Sequence, residues 1–207
     1  TLARFSQQWA QDDTAGARAT ATDAIEGTLL WVLPAGLGLF LLAEPLVALC
    51  FERGAFGAAD TLQTASILRG YAVAVAGICI ARVLLPIFFA LGDPYTPMRL
   101  SLVVMAIKIP VALALLGALG LIGLPLSHAV TVSLEAAVMM AVLHTRLGGW
   151  LPGLWGQLGR IGLATALMGA AVTGLDQFLP ALGHLRVVLL CAAGGLCFGT
   201  AAIALRV

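Results

Sequence analysis

Three ionisable residues stand inside long apolar runs of this 207-residue sequence: Arg82, Lys108 and Glu135. An unpaired charge at mid-bilayer costs about 3 kcal/mol or more, so such residues face a bundle interior or water and usually pair with one another. Two cations beside one anion can also hold an anionic ligand through charge-assisted hydrogen bonds. Which of these chemistries applies depends on the elements that carry the three side chains.

The composition places those elements in a bilayer. The chain is 61% hydrophobic and 10% charged, with a mean hydropathy of +1.04, whereas a soluble domain is nearer a quarter charged. The apolar runs lack the period-two alternation of a membrane barrel. Helices are the other structure that satisfies every backbone group in hydrocarbon. We therefore predict an all-α, polytopic membrane protein.

Six runs are long enough for a spanning helix, which needs about 20 mostly apolar residues. They cover residues 27–51, 60–91, 96–119, 121–147, 157–178 and 185–207. The predicted organisation is a cytoplasmic amphipathic or loop segment (1–24), four transmembrane helices (25–149) and two more (150–207). The second run exceeds the bilayer thickness, so it must tilt, protrude or break at Pro86. The chain starts at Thr1 within a polar stretch, which we interpret as a piece of a longer protein.

The positive charges assign a direction to these spans. The opposite side of the membrane carries two arginines, Arg53 and Arg186, with Arg69 a turn or two inside its helix. The side shared by the N-terminal segment, two connections and the C-terminus carries Arg4, Arg18, Arg99, Arg146, Arg160 and Arg206. The positive-inside rule predicts that both ends of this chain are cytoplasmic.

The three intramembrane charges are predicted to lie at similar depths. Counting at 1.5 Å per residue puts Arg82 about 14 Å, Lys108 about 16 Å and Glu135 about 18 Å from the inner ends of their spans. Lys108 and Glu135 then form a structural ion pair, or all three residues face a cavity that receives an anionic substrate. A third alternative is that Lys108 faces lipid and extends to the interface.

A polar stretch, "FERGAFGAAD", interrupts the apolar runs at residues 51–60 and forms the outward connection between the first two spans. Asp60 or Thr61 is placed to cap the next helix, because a carboxylate or hydroxyl accepts the amide protons of a first turn. Gly54 permits backbone angles that other residues resist. We predict a capped turn, and a gating role for Arg53 stays open.

Nothing in the sequence indicates catalysis or a resident cofactor. It lacks a nucleophile–base arrangement, a Gly-rich phosphate loop, an HExxH motif and a DxD-type metal signature. His128 is interpreted as a helix-interface histidine, with titration or cavity lining as the alternative. The net charge of +1 gives no indication of nucleic acid. We expect no enzyme, no cofactor and no metal. The cysteines lie in apolar runs and are interpreted as packing residues: Cys50, Cys79, Cys191 and Cys197.

The order of several motifs resembles the C-terminal half of the MurJ (MviN) family of bacterial lipid II flippases. In that family an outward turn F-x-R-G-A-F, followed by x-x-x-D-T, opens a long helix. This helix carries a basic residue before V-L-x-P and ends in G-D-x-x-T-P. The likeness is specific over residues 1–99 and continues as a hydropathy pattern. The matching residues are Phe51, Arg53, Gly54, Ala55, Phe56, Asp60, Thr61, Arg82, Val83, Leu84, Pro86, Gly92, Asp93, Thr96 and Pro97.

The resemblance implies a MATE-like exporter with two six-helix lobes and two extra C-terminal helices. This chain would supply the last four helices of the second lobe and the extra pair, while the N-terminal lobe lies outside it. The implied substrate is undecaprenyl-pyrophosphate-linked disaccharide pentapeptide, which the family moves across the bacterial inner membrane by alternating access. Membrane lipids are the other implied partners. Arg82 would then meet the pyrophosphate, and the extra pair would form a groove for the lipid tail.

The family usually carries Asn, Gln or Thr where this chain has Lys108 and Glu135. The resemblance therefore assigns no role to these two residues, and their charge and position alone make them candidates for substrate binding. Two other functions stay open: another MATE-like exporter of lipid-linked oligosaccharide or drug, and a non-transporting membrane scaffold for wall synthesis. The candidates for substrate binding are Arg82, Lys108 and Glu135, and those for a motif or gating role are Arg53, Gly54, Asp60 and Asp93.

Overall fold

The computed structural model describes residues 2–150, 154–178 and 183–205, and every regular element in these ranges is helical. A short 3₁₀ turn, Gly120–Ile122, joins the fifth helix to the sixth. The predicted all-α fold is confirmed. The helices are α1 (Leu2–Ala10), α2 (Thr14–Leu41), α3 (Ala43–Phe51), α4 (Ala58–Ala90), α5 (Tyr95–Leu119), α6 (Gly123–Leu147), α7 (Leu154–Phe178) and α8 (Gly183–Ala204).

Six of these helices form the membrane-spanning set. Five segments are long and apolar enough to cross a bilayer, and one of them, Tyr95–Leu147, contains both α5 and α6. The 33-residue α4 is about 50 Å long at 1.5 Å per residue, which exceeds a hydrocarbon core of about 30 Å. It stays continuous through Pro86. The long second span therefore tilts or protrudes and does not break.

The first span differs from the predicted single run over residues 27–51. Helix α2 begins well before residue 27, because the Asp13 carboxylate accepts a hydrogen bond from the Gly16 amide at 2.9 Å and caps the helix. It ends before Pro45, which has no amide hydrogen to donate to the carbonyl four residues earlier. Residues 14–24, which the sequence predicts in the N-terminal segment, are therefore part of helix α2.

We call the two ends of the bundle the Asp93 end, where α4 turns into α5, and the Gly54 end, where α3 turns into α4. The largest core lies towards the Asp93 end and joins α1, α2, α4 and α6. Phe5 is 1% exposed, so the amphipathic α1 packs into the bundle. The other large side chains of this core include Ile25, Leu84, Phe88, Met139 and Leu143.

Small residues set the approach of α4 to α6. A Cβ atom on Gly77 would lie 3.0 Å from the Cα atom of Ser133, so the two backbones are in close contact. Helix α5 packs mainly against α6 and contacts α4 little. The hairpin of α7 and α8 packs on α2 through a second core, formed by Leu42, Ala164, Met168, Val172, Leu190 and Phe198.

Candidate functional site

Arg82 lines an open cavity of about 620 Å³ between α1, α2 and α4. Thr20, Asp23 and Thr28 of α2 share the cavity wall, and Arg82 itself is exposed. Neither Arg82 nor Asp23 takes part in the ion pairs of the described residues. The cation suits an anionic ligand, whereas the two hydroxyl protons are donated within the protein, by Thr20 to Gln8 and by Thr28 to the carbonyl of Ala24. Asp23 is not among the predicted site residues because it lies outside the predicted span, and its carboxylate limits the positive charge of the cavity.

Glu135 is fixed against α5 by a side-chain hydrogen bond. The hydroxyl of Ser101 donates to Oε1 of Glu135 at 2.6 Å. Neither Glu135 nor Lys108 is among the described residues that line the cavity beside Arg82. Lys108 and Glu135 therefore lie away from the cavity that Arg82 lines.

Lys108 and Glu135 do not form the ion pair that the sequence left open; the three ion pairs of the described residues lie elsewhere. The reason is the register of the α5–α6 hairpin. Ser101 binds Glu135. In this antiparallel hairpin the residue seven positions further along α5 lies at the height of the residue seven positions earlier on α6, so Lys108 lies level with His128. Seven residues span about 10 Å, and this distance along the axis separates Lys108 from Glu135.

A double-mutant cycle is expected to report this register. The effects of Lys108→Met and Glu135→Gln on the free energy of unfolding should add within about 0.5 kcal/mol. Ser101→Ala and Glu135→Ala should instead couple by about 0.5–1.5 kcal/mol, because each removes one partner of the same hydrogen bond. Unfolding of the full-length protein in detergent measures both cycles. Stronger coupling for Lys108 than for Ser101 would contradict the register.

His128 packs against the aromatic ring of Tyr71. Its ring lies edge-on to that of Tyr71, with centroids 6.2 Å apart, as expected for a helix-interface histidine. Tyr71 is not among the predicted site residues. The sequence does contain a signal for it, since Tyr71 precedes Arg82 by eleven residues, which is three helical turns and places both on one face of α4.

The turn at the Gly54 end contains the predicted cap. The Asp60 carboxylate accepts a hydrogen bond from the Gly57 amide at 3.0 Å, so it caps α4 from within the first turn. Gly54 has a φ of +62°, in the left-handed region that favours glycine. The side chain of Arg53 is exposed beside it.

Asp93 caps α5 and pairs with α6. Its two oxygens accept hydrogen bonds from the Thr96 amide at 3.0 Å and the Thr96 hydroxyl at 2.6 Å, and Arg146 lies 3.2 Å away. The hydrogen bonds from Thr96, and then the charge of Arg146, hold the pKa of Asp93 below its ordinary value. The aspartate of the G-D-x-x-T-P motif thus joins the α4–α5 turn to the end of α6.

A second interaction between helices lies at the same end of the bundle. The Arg18 guanidinium donates to the carbonyl of Leu147 at 2.6 and 3.1 Å. This bond satisfies a carbonyl at the C-terminus of α6, where a cation is favourable. It links the start of α2 to α6.

Replacing Asp93 should separate its two roles. Asp93→Asn keeps an acceptor oxygen for the cap but loses the ion pair, whereas Asp93→Ala loses both, so alanine should lower the melting temperature more. Because the folded pKa is lowered, the carboxylate's contribution is complete above its unfolded pKa and is lost only as pH falls below about 4. The difference in stability between wild type and Asp93→Asn should therefore stay constant from pH 8 to 5. A difference that shrinks between pH 7 and 6 would contradict this assignment.

An apolar groove of about 400 Å³ separates α2 from α8. Trp31 of α2 stands at its edge, 73% exposed, and Gly194 and Gly195 of α8 form part of the opposite wall. The described residues that line it include no charged side chain. Its shape and chemistry suit an extended hydrocarbon chain.

A polar cleft of about 700 Å³ lies near the Gly54 end, between α3–α4 and α7–α8. Two ion pairs stand on its walls: Arg69 with Glu44 at 3.5 Å, and Arg186 with Asp176 at 2.6 Å. The sequence predicts the two arginines as charges towards the outward side but does not predict their partners. Each pair lies within its own pair of helices.

The chain has six apolar spans, a cavity wall with an exposed arginine and a separate apolar groove. These features define a multi-pass helical membrane protein with room for an amphiphilic ligand. The family follows from comparison with known proteins. The family model described as "Lipid II flippase MurJ" matches residues 1–193. The chain belongs to this family, as the resemblance predicted, and has the helices of a multi-pass protein of the bacterial inner membrane.

Several curated relatives show how much of the family the chain represents. The probable lipid II flippase MurJ of Bdellovibrio bacteriovorus is 37% identical over 124 residues, 60% of this chain and 24% of that protein. That of Rhizobium meliloti is 32% identical over 152 residues, 72% and 28% of the two chains. That of Thermotoga maritima is 30% identical over 169 residues, 81% and 34%. The chain thus spans about a quarter to a third of these relatives.

A solved structure gives the same fold. The lipid II flippase MurJ in an inward closed conformation superposes with a TM-score of 0.84, covering 99% of this chain and 41% of that one, at 19% identity. The described helices therefore correspond to a part of the MurJ fold.

Proposed function

We propose that the protein to which this chain belongs moves lipid II from the inner to the outer leaflet by alternating access. Lipid II joins a disaccharide pentapeptide to undecaprenyl through a pyrophosphate. The chain supplies four helices of the second lobe, α2 with α3, α4, α5 and α6, and the extra pair, α7 and α8. Family membership and Arg82 on an open cavity wall support the proposal. The activity is transport, without chemistry on the substrate and without a cofactor.

Arg82 is the residue that meets the pyrophosphate. A planar guanidinium binds two phosphate oxygens at once, and it keeps its charge at any physiological pH. The hydroxyl protons of the facing wall are already used, since Thr20 donates to Oε1 of Gln8 and Thr28 to the carbonyl of Ala24, so Arg82 is the donor among the described side chains that line the cavity. The cavity therefore offers the anionic group polar contacts in place of water while the rest of the lipid stays in the bilayer.

The lipid tail follows the groove between α2 and α8. This groove is apolar and open to the side of the bundle, and glycines on α8 widen it. The prenyl chain thereby stays in an apolar environment while its pyrophosphate occupies the cavity.

The orientation follows the positive-inside rule, with the Asp93 end at the cytoplasm. Asp93 then stands at the inward mouth and holds the ends of α5 and α6 together. Arg53, Gly54 and Asp60 stand at the outward mouth, where the capped turn fixes the start of α4. These residues would set which mouth is open.

The experiment is complementation of cells depleted of their own lipid II flippase by the full-length parent gene. Growth should be restored together with the appearance of lipid II in the outer leaflet. Growth with no change in outer-leaflet lipid II would indicate a non-transporting scaffold. Failure of a well-expressed protein, with export of another lipid-linked oligosaccharide or a drug, would indicate a different MATE-like exporter.

Filling the groove tests the path of the tail. Nothing lies within 4 Å of a Cβ atom on Gly195, so Gly195→Trp projects a large ring into the groove without disturbing the core. We expect strongly reduced outer-leaflet lipid II at normal membrane levels of the protein. Gly199→Trp is the control, because Gly199 is equally unobstructed but does not line the groove. Equal activity of the two variants would exclude the groove as the tail path.

A further inference from the structure

Arg82 shares its face of α4 with a second polar residue. Tyr71 lies eleven residues earlier, so it stands about 16 Å further towards the Gly54 end on the same side of the helix. Its side chain is 44% exposed. A ligand that moves outward along this face from Arg82 therefore arrives at Tyr71.

Two neighbouring helices add donors beside Tyr71. His128 of α6 lies edge-on against the Tyr71 ring, at a centroid distance of 6.2 Å. The Ser101–Glu135 hydrogen bond sets the register of the antiparallel α5–α6 hairpin, and this register places Lys108 of α5 level with His128. The described ion pairs leave Lys108 without a carboxylate, and Glu135 lies two turns along α6 in a bond with Ser101. Three helices thus bring an ammonium, an imidazole and a phenol to one place.

The position of Lys108 makes a bound anion favourable. It lies eleven residues before Leu119, about 16 Å from that end of α5, which is too far for its side chain to reach the interface. A lysine charge in the middle of a span costs about 3 kcal/mol or more when it is unpaired. A phosphate group offsets this cost and also accepts hydrogen bonds from the imidazole and the phenol.

We propose that Lys108, His128 and Tyr71 form a second phosphate-binding site, which takes the pyrophosphate after it leaves Arg82 and before it reaches the outer leaflet. The inference rests on the proposed function and extends it from the inner cavity to the outward half of the path. The substrate is held first by the arginine of α4 and then by a site shared between α4, α5 and α6.

The test uses the full-length protein in detergent and undecaprenyl pyrophosphate as the probe. Lys108→Met should weaken binding by on the order of tenfold or more, since it removes a charge-assisted hydrogen bond. Lys108→Arg should restore most of the affinity. Tyr71→Phe keeps the ring against His128 and should cost about fivefold, the loss of one neutral hydrogen bond. Arg99→Met is the matched control, an exposed cation on the same helix towards the Asp93 end.

The outcomes separate this inference from the function on which it rests. Wild-type affinity in Lys108→Met, with binding lost in Arg82→Ala, would overturn the second site and leave the flippase proposal intact. Wild-type affinity in both variants would overturn both. An equal loss for phosphatidylglycerol in Lys108→Met would assign the site to a bulk lipid headgroup and overturn its place on the transport path. A loss in Arg99→Met as large as in Lys108→Met would also overturn it.

Discussion

Arg82→Ala in the full-length protein should abolish growth of cells that depend on it, at normal membrane levels of the protein. The substitution removes the cation from the cavity wall and leaves Asp23 as the charge beside the pyrophosphate. Loss of a charge-assisted hydrogen bond costs about 1.5–3 kcal/mol, which is a decrease in affinity on the order of 10- to 100-fold. The measurement is complementation together with the amount of lipid II in the outer leaflet.

Two further variants test whether the loss of growth is specific to the Arg82 guanidinium. Arg82→Lys keeps the charge without the planar fork, so we expect partial growth. Leu85→Ala changes a neighbouring exposed position on α4 and should grow normally. Full growth of Arg82→Ala would reduce Arg82 to a packing role and favour the scaffold.

Enlarging Gly77 should lower stability by opening the contact between α4 and α6. A Cβ atom at this position lies 3.0 Å from the Cα atom of Ser133, so the α6 backbone must shift to accept a side chain. Gly77→Leu should therefore separate α4 from α6 and lower the free energy of unfolding by about 1–3 kcal/mol, the usual cost of overpacking. Gly77→Ala should show a smaller loss in the same direction. Unfolding of the purified protein in detergent measures both.

Gly162 provides the matched control for Gly77. It is also helical, but nothing lies within 4 Å of an added Cβ atom. Gly162→Ala should leave stability unchanged or raise it by up to about 1 kcal/mol, because alanine favours the helix. If Gly77→Leu melted at the wild-type temperature, the close packing of α4 on α6 would be wrong.

The sequence predicts the six spans and the depth of each charge, because hydropathy and the helical rise are local properties. It does not predict which charges meet. Counting from the helix ends places Lys108 and Glu135 at one height, but the contact depends on the register of the α5–α6 hairpin. That register places Glu135 against Ser101 and Lys108 level with His128. Register is set by packing between helices, which no single run of residues encodes.

Proline and capping effects account for the other difference. The predicted first span starts where the apolar run starts, yet Asp13 begins the helix earlier and Pro45 interrupts it. The apolar pattern marks the part of a helix that lies in lipid, whereas the cap marks where its hydrogen bonds begin. Because α2 begins before its apolar run, it carries Asp23 in the cavity wall.

The two ion pairs of the polar cleft allow a particular kind of movement. Glu44 and Arg69 belong to α3 and α4, and Asp176 and Arg186 belong to α7 and α8. Neither salt bridge crosses from one wall to the other, so the α7–α8 hairpin can slide past α3 and α4 with both pairs intact. Such a shear exchanges apolar contacts for apolar contacts, and its equilibrium should be nearly independent of ionic strength. The hairpin can therefore accommodate a passing lipid chain while the charged walls of the cleft keep their own partners.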